Sequence, residues 1–278
     1  MESIKDSVRL NNGILMPKLG FGLFKVEPNE TKMAISIAIE AGYRSFDTAA
    51  AYENEAETGR AVKRSGIPRK EYFITTKLFN ADHGYDKAMK AFDKSLRLLD
   101  MEYVDLYLIH WPGPDEKKRL KTWNALVDIY RSGSAKAIGV SNFSINHLAN
   151  LIETSGMKPA VNQVELHPWL SQKPLLEYCK AQNIVVEAWA PLMQGRLLEE
   201  PGIDAIANKH GKTHAQVVLK WHWQNNVIAI PKSVHRERIY ENKDIFDFTL
   251  DEGDIAMIDA LNRNLRIGPD PDTFVWGF

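Results

Sequence analysis

The stretch VDLYLIH at residues 104–110 is a short apolar run that stops on a titratable side chain, His110. Seven residues rich in Val, Ile and Leu and bounded by polar neighbours read as a strand buried on both faces. The form recurs along the chain. SFDT carries Asp47, YFITTK ends on Lys77, AIGVSN on Asn142, AVNQ on Gln163, IVVEAW on Trp189 and VIAIPK on Lys232. Helix-period stripes fill the gaps: Met33, Ala34, Ile37, Ala38 and Ala41, then Tyr85, Met89, Phe92, Leu96 and Leu99, then Trp123, Leu126, Val127 and Tyr130. Most strand ends lie about 25 to 35 residues apart, the length of a strand and a crossover helix, which predicts parallel pairing. The wider step from Trp189 to Lys232 predicts an insertion after the seventh strand.

With KLGFG at 18–22 as a first strand there are eight βα units, enough to close an α/β (β/α)8 TIM barrel without a free sheet edge. The segment VRLNNGILMP at 8–17 has Asn-Gly between apolar residues, so residues 1–17 are expected to form an N-terminal β-hairpin that closes the barrel floor. No linker interrupts the series, and residues 1–278 read as one domain with a tail, 264–278, near the substrate pocket. A doubly wound sheet has a similar period but needs a third glycine in its first turn. GFGLFK places Lys25 there.

Lys and Arg number 35 against 36 Asp and Glu, a net charge of −1, which gives no footprint for nucleic acid or for an anionic membrane surface. With 44% hydrophobic and 26% charged residues, the chain can build an ordinary globular core. No apolar run reaches the ~18 residues of a membrane span, and MESIKDSVRL lacks a signal core, so a cytoplasmic location is expected. Cys179 stands alone and reads as helix packing. His210 and His214 have ligand spacing, but Gly211 interrupts them and no acidic third ligand is near, so no metal is expected. DEKKR at 115–119 reads as a solvated helix start, and no heptad seam is present, so a monomer is expected.

In such a barrel the chemistry lies where the C-terminal strand ends converge, and Asp47, Lys77, His110, Ser141, Asn142, Gln163 and Lys232 all fall at or just past those ends. Asp47 and Lys77, on neighbouring strands, should pair across the mouth. Tyr52, five residues past Asp47, can lean over the same spot. A phenol titrates near pH ~10, and a lysine cation beside it is expected to lower that value. His110 can hold a carbonyl oxygen in line. The set reads as an acid poised to protonate an oxygen.

The motifs GFGLF at 20–24, GYRSFDTAAAYENE at 42–55, ITTKL at 74–78, LYLIHWP at 106–112, IGVSNF at 138–143, NQVELHP at 162–168, AWAPL at 188–192 and IPKSVHRERIYEN at 230–242 resemble those of the aldo-keto reductases in order and spacing. The resemblance covers essentially the whole chain. MQGRLL and the tail GPDPDTFVWGF are similar to the bacterial branch of 2,5-diketo-D-gluconate and glyoxal or methylglyoxal reductases.

The resemblance implies NADPH-dependent reduction of small aldehydes and ketones, with Asp47, Tyr52, Lys77 and His110 as the catalytic tetrad. It implies that Trp189 stacks on the nicotinamide and that Ser141, Asn142 and Gln163 hold its carboxamide, beside Gly22, Leu23, Phe24 and Asp47. Ala190, Pro191, Leu192, Gln194 and Gly195 would lie along the phosphates, and Lys232, Ser233, Val234, Arg238 and Asn242 would take the adenosine end, Ser233 also starting the helix there. Phe24, Tyr52, His110 and Trp111 would face the substrate. Ala190 stands where a serine is common and Phe24 where tryptophan is frequent. Phe274, Trp276 and Phe278 suit either a clamp for the tail or walls of the pocket. Two other readings fit a barrel mouth of this kind: a Schiff-base lyase using Lys77 or Lys232, and a dinucleotide sensor without turnover.

Overall fold

The structure is a computed structural model that describes residues 2–278. Eight parallel strands run in chain order: β3 (Phe21–Gly22), β4 (Ser45–Asp47), β5 (Phe73–Leu78), β6 (Val104–Ile109), β7 (Ala135–Ser141), β8 (Val161–Glu165), β9 (Val185–Trp189) and β10 (Ile228–Ala229). They follow β1 (Ser7–Arg9) and β2 (Leu15–Pro17), an antiparallel pair with Ser7 opposite Pro17. The sheet curls until its two ends meet: Gly20 N donates to Ala229 O at 2.9 Å and Gly22 N to Pro231 O at 3.1 Å. A Cβ on Gly22 would stand 2.8 Å from Ile230 O, so this seam closes only with glycine there.

The β1–β2 hairpin covers the floor of the barrel. Leu10 and Met16 are buried among Leu106, Leu108, Ala137, Val161 and Ile228, and Asn11 and Asn12 donate to the carbonyls of Pro159 and Lys136, each at 2.9 Å. Burial of that apolar set ties residues far apart in sequence to a local turn.

Helices α1 (Pro28–Ala41), α2 (Glu55–Arg64), α3 (Tyr85–Leu99), α4 (Glu116–Arg131), α5 (Ile145–Ser155) and α6 (Lys173–Gln182) alternate with the strands. The expected insertion follows β9: a 3-10 turn at Met193–Glu199 and α7 (Pro201–His210) precede α8 (His214–Gln224). The chain continues through α9 (Arg236–Lys243) and α10 (Glu252–Asp259). None of the described helices is long and apolar enough to cross a membrane.

The buried face of α1 is Thr31, Ala34, Ile35, Ala38 and Ala41. The apolar stripe of the sequence had included Met33, which is 61% exposed, because a stripe drawn through apolar residues does not see the small polar Thr31 that faces the core. The segment 115–119 also differs from its reading as a solvated start. Asp115 caps α4 by accepting from Lys118 N at 2.9 Å, but Arg119 is buried and donates to Gly113 O at 2.9 Å, holding the loop after β6. Its stem packs inward while its guanidinium satisfies a backbone oxygen. Cys179 is buried in α6, where burial raises its thiol to about 11. His210 and His214 each meet a carboxylate, Asp254 and Asp204, both at 2.7 Å.

Candidate active site

Asp47 ends β4 opposite Thr75, and Lys77, two residues further along β5, lies on the same face as Thr75 and nearer the mouth, from where its side chain reaches Asp47. All three hydrogens of the Lys77 ammonium are committed: to Asp47 Oδ1 at 2.5 Å, Thr48 O at 2.9 Å and Tyr52 Oη at 3.3 Å. Its side chain is fully buried. Tyr52 sits in a single 3-10 turn, Ala50–Tyr52, that follows β4 directly. The neighbouring Asn54 pins that turn by donating to Leu23 O and Val26 O, each at 3.0 Å, and accepting from Thr48 Oγ1 at 2.6 Å. His110 follows β6 and stands edge-on to Tyr52, with ring centres 5.6 Å apart.

The electrostatics correct one expectation from sequence. Burial raises the Tyr52 phenol above its ordinary value, and the Lys77 cation opposes that shift without overcoming it. Removal from water penalises the phenolate more than one cation, itself paired with Asp47, can restore. Tyr52 therefore holds its proton firmly. Burial works against the Lys77 charge, yet Asp47 and Tyr52 together keep its ammonium above the ordinary lysine range. Burial and the Lys77 charge hold the His110 imidazole well below its usual value, so it is neutral, with one N–H to donate.

A second cluster continues beneath these groups. Gln163 on β8 gives its amide hydrogens to Asp47 Oδ2 at 2.8 Å and to Glu187 Oε2 on β9 at 2.7 Å. Sequence reading missed Glu187, although a lone carboxylate within an otherwise apolar strand, two residues before Trp189, was a visible signal. It missed Asn54 as well, which the YENE stretch after Tyr52 contains.

The residues expected around a nicotinamide come together on the other side of the mouth. Trp189 Nε1 donates to Asn142 Oδ1 at 2.8 Å, and Asn142 Nδ2 donates to His110 O at 2.9 Å and Ser141 Oγ at 3.1 Å. Ser141 Oγ donates to the backbone carbonyl of Gln163 at 2.9 Å, so the hydroxyl and the Asn142 amide form one network with the indole above, while the Gln163 amide is held separately by Asp47 and Glu187. Beyond Trp189 the backbone turns repeatedly left-handed, with φ of 48° at Ala190, 51° at Met193, 53° at Gln194 and 90° at Gly195. Met193 N and Gly195 N close these turns by donating to Ala190 O at 2.8 Å and Leu192 O at 2.9 Å, and Pro191 and Met193 are buried while Gln194 and Gly195 reach the surface. Leu192 and Val234 are half-buried.

Past β10, Lys232 and Arg238 are exposed while Ser233 and Asn242 are buried. Arg236 is taken by Glu40 at 2.7 Å, whereas Arg238 has no ion-pair partner among the described residues. Ser233 does not start the helix. Its hydroxyl accepts from His235 N at 3.1 Å, and α9 begins at Arg236 with His235 in the capping position. A two-residue side-chain turn satisfies Ser233 before the helix opens.

On the open side, Phe24 lies 5.1 Å from the Tyr52 ring and Trp111 packs 4.3 Å from Phe274. Gly22 and Leu23, behind Phe24, are buried in the seam. The tail is tied down by the fully buried Glu165, which accepts from Ile267 N at 2.6 Å and Gly268 N at 3.0 Å. Asn80 donates to Trp276 O at 2.9 Å, and Phe278 packs edge-on against His83 at 4.9 Å. The three tail aromatics thus divide: Phe278 and Trp276, the latter edge-on to Phe79 at 5.7 Å, fasten the tail, while Phe274 stands beside Trp111 at the rim.

Asp47, Lys77 and His110 at or just past strand ends, and Tyr52 one turn past β4, thus meet at one mouth of a (β/α)8 barrel. The chain belongs to the aldo/keto reductase family, whose model matches residues 18–263. It is 52% identical to glyoxal reductase of Bacillus subtilis, over 99% of both chains, and 49% identical to morphine 6-dehydrogenase of Pseudomonas putida, over 95% of this chain and 94% of that one. Its structure matches that of a Gox0644 variant in complex with NADPH, with TM-score 0.93 and 43% identity, covering 97% of this chain and 98% of the other.

Proposed function

We propose that the protein reduces small aldehydes and ketones to alcohols with NADPH, Tyr52 giving its proton to the carbonyl oxygen. The observation that carries this reading is the Lys77 ammonium, whose third hydrogen is directed at Tyr52 Oη at 3.3 Å while Asp47 and Thr48 take the other two. When bound there, the reduced dinucleotide would supply the hydride for the carbonyl carbon. Tyr52 protonates the oxygen as the alkoxide forms, and Lys77 then faces the developing phenolate at close range. The neutral imidazole of His110 donates to the same oxygen and fixes its direction. Trp189 offers a flat face to the ring, the exposed turn at Gln194 and Gly195 suits a pyrophosphate, and Arg238, exposed and without an ion-pair partner among the described residues, suits a 2′-phosphate.

The same commitment counts against Lys77 as the nucleophile of a Schiff-base lyase, since a charged, fully bonded ammonium has no lone pair with which to attack; Lys232, the other lysine of that reading, is exposed past β10, and trapping of substrate on the protein by borohydride would favour it. Glyoxal and methylglyoxal are the first expected substrates, followed by aromatic aldehydes and keto-sugar acids. Phe24, Trp111 and Phe274 form an aromatic rim that accepts small carbonyls broadly. Loss of reduced-nicotinamide absorbance with a panel of these compounds tests the reading. Turnover restricted to one bulky ring system would overturn the substrate class, and nucleotide binding without turnover on any carbonyl would favour a sensor.

A further inference from the structure

Gln163 Nε2 has two hydrogens and spends both on carboxylates, Asp47 at 2.8 Å and Glu187 at 2.7 Å. The bond to Asp47, whose other oxygen is paired with Lys77, requires a donor and fixes which end of the amide is nitrogen, leaving the carbonyl oxygen as the end free for a ligand. Glu187 is 1% exposed, and its other oxygen, Oε1, is buried with no partner among the described residues. The charged groups facing it are Asp47 from β4, Lys77 from β5 and, more remotely, Tyr52 from the loop after β4. Asp47 and Lys77 already cancel. An ionised Glu187 would add an uncompensated buried charge, whereas the carboxylic acid adds none and still accepts from Gln163. Burial and the Asp47 charge accordingly raise its carboxyl to about 8.

Resting on the assignment of this mouth to a nicotinamide ring, we propose that Glu187 is a neutral buried acid that positions Gln163 for the carboxamide, and that its loss of a proton favours the oxidised ring over the reduced one. The oxidised ring is a cation and the reduced ring is neutral, so a carboxylate appearing one layer beneath Trp189 attracts only the former. By linkage, bound oxidised dinucleotide draws the proton off Glu187 to the same extent.

Titration of the wild-type protein, Glu187→Gln and Glu187→Leu with NADPH and with NADP+, read by tryptophan fluorescence from pH ~6 to ~9.5, tests both parts. In the wild type, affinity for NADP+ relative to NADPH should rise roughly tenfold across the range. Glu187→Gln keeps a neutral acceptor for Gln163; it should bind both dinucleotides within about twofold of the wild type near pH ~6 and show a flat ratio. Glu187→Leu removes the acceptor and should weaken both about fivefold at every pH. A wild-type rise that persists in Glu187→Gln would overturn the charge effect, and full affinity in a folded Glu187→Leu would overturn the positioning role. Failure of the wild type to bind either dinucleotide would instead bring down the functional reading beneath both.

Discussion

Lys77 and Tyr52 meet twice: the ammonium nitrogen is 3.3 Å from the phenol oxygen and 4.8 Å from the centre of its ring. The cation thus lies where it can stabilise a phenolate while burial keeps the resting phenol protonated. Acid strength is held back until the proton has somewhere to go. Tyr52→Phe removes the proton donor, and with it the acceptor of the third Lys77 hydrogen, but no group expected to touch the dinucleotide, so dinucleotide affinity should stay near wild type while turnover falls by ~10²-fold or more. Steady-state kinetics beside a binding titration would check this; wild-type turnover would mean another acid.

Lys77→Met should cost both rate and stability. The phenol loses its cation, and Asp47 is left buried without its 2.5 Å partner. Breaking a buried pair on one side typically costs about 3–5 kcal/mol. A melting curve several degrees below that of the wild type should accompany the lost activity, whereas Tyr52→Phe, which keeps the Lys77–Asp47 pair and leaves one Lys77 hydrogen without its acceptor, should lose less.

Glu187 makes a stability prediction that needs no substrate. Its carboxyl is raised from 4.5 to about 8 in the folded protein, so its contribution is fully present below about pH 4.5 and is lost as pH rises through 8. Glu187→Gln lacks that titration. The melting temperature of the variant minus that of the wild type should therefore grow from pH ~5 to ~8 and then level off. A difference that does not change with pH would show that the folded protein carries Glu187 ionised.

Arg238→Ala should weaken NADPH by about 1.5–3 kcal/mol, the range for a hydrogen bond to a charged group, and leave NADH nearly unchanged. Arg236 is already engaged by Glu40 at 2.7 Å, so Arg236→Ala should alter neither by much. Fluorescence titration of both dinucleotides distinguishes the two arginines, and equal losses of NADPH and NADH in Arg238→Ala would remove it from the 2′-phosphate.

Gly59 on α2 lies against the C-terminal end of α3, and a Cβ there would stand 1.9 Å from Leu99 O. Neither backbone can yield without moving its helix. Gly59→Ala should destabilise the fold by about 1–3 kcal/mol through overpacking, despite the better helix propensity of alanine. Thermal melting reads the loss, and the activity per folded molecule should be unchanged.

The order of strands and helices was legible in the sequence because a doubly buried strand is a continuous apolar run and its crossover helix has a different period. VDLYLIH and YFITTK became β6 and β5, and His110 and Lys77 arrived at one mouth because every parallel strand ends on the same side. The insertion after β9 followed from spacing alone. That Asp47, Tyr52, Lys77 and His110 come together was legible for the same reason: Asp47, Lys77 and His110 are charged or polar residues at the ends of apolar runs, and Tyr52 is only one short turn away.

What the tertiary structure decided is what depends on distances between segments that the sequence keeps apart. The direction of the Tyr52 shift is a balance between burial and a cation from the next strand, and sequence shows the cation but not the burial. Arg119 reads as surface charge until the β6 loop offers it a carbonyl, and Met33 reads as core until Thr31 is seen to hold that face. Glu187 looked like one more charge in a strand. Only the register of β8 and β9, which sets Gln163 directly opposite Glu187, brings that carboxyl to the same amide that Asp47 holds.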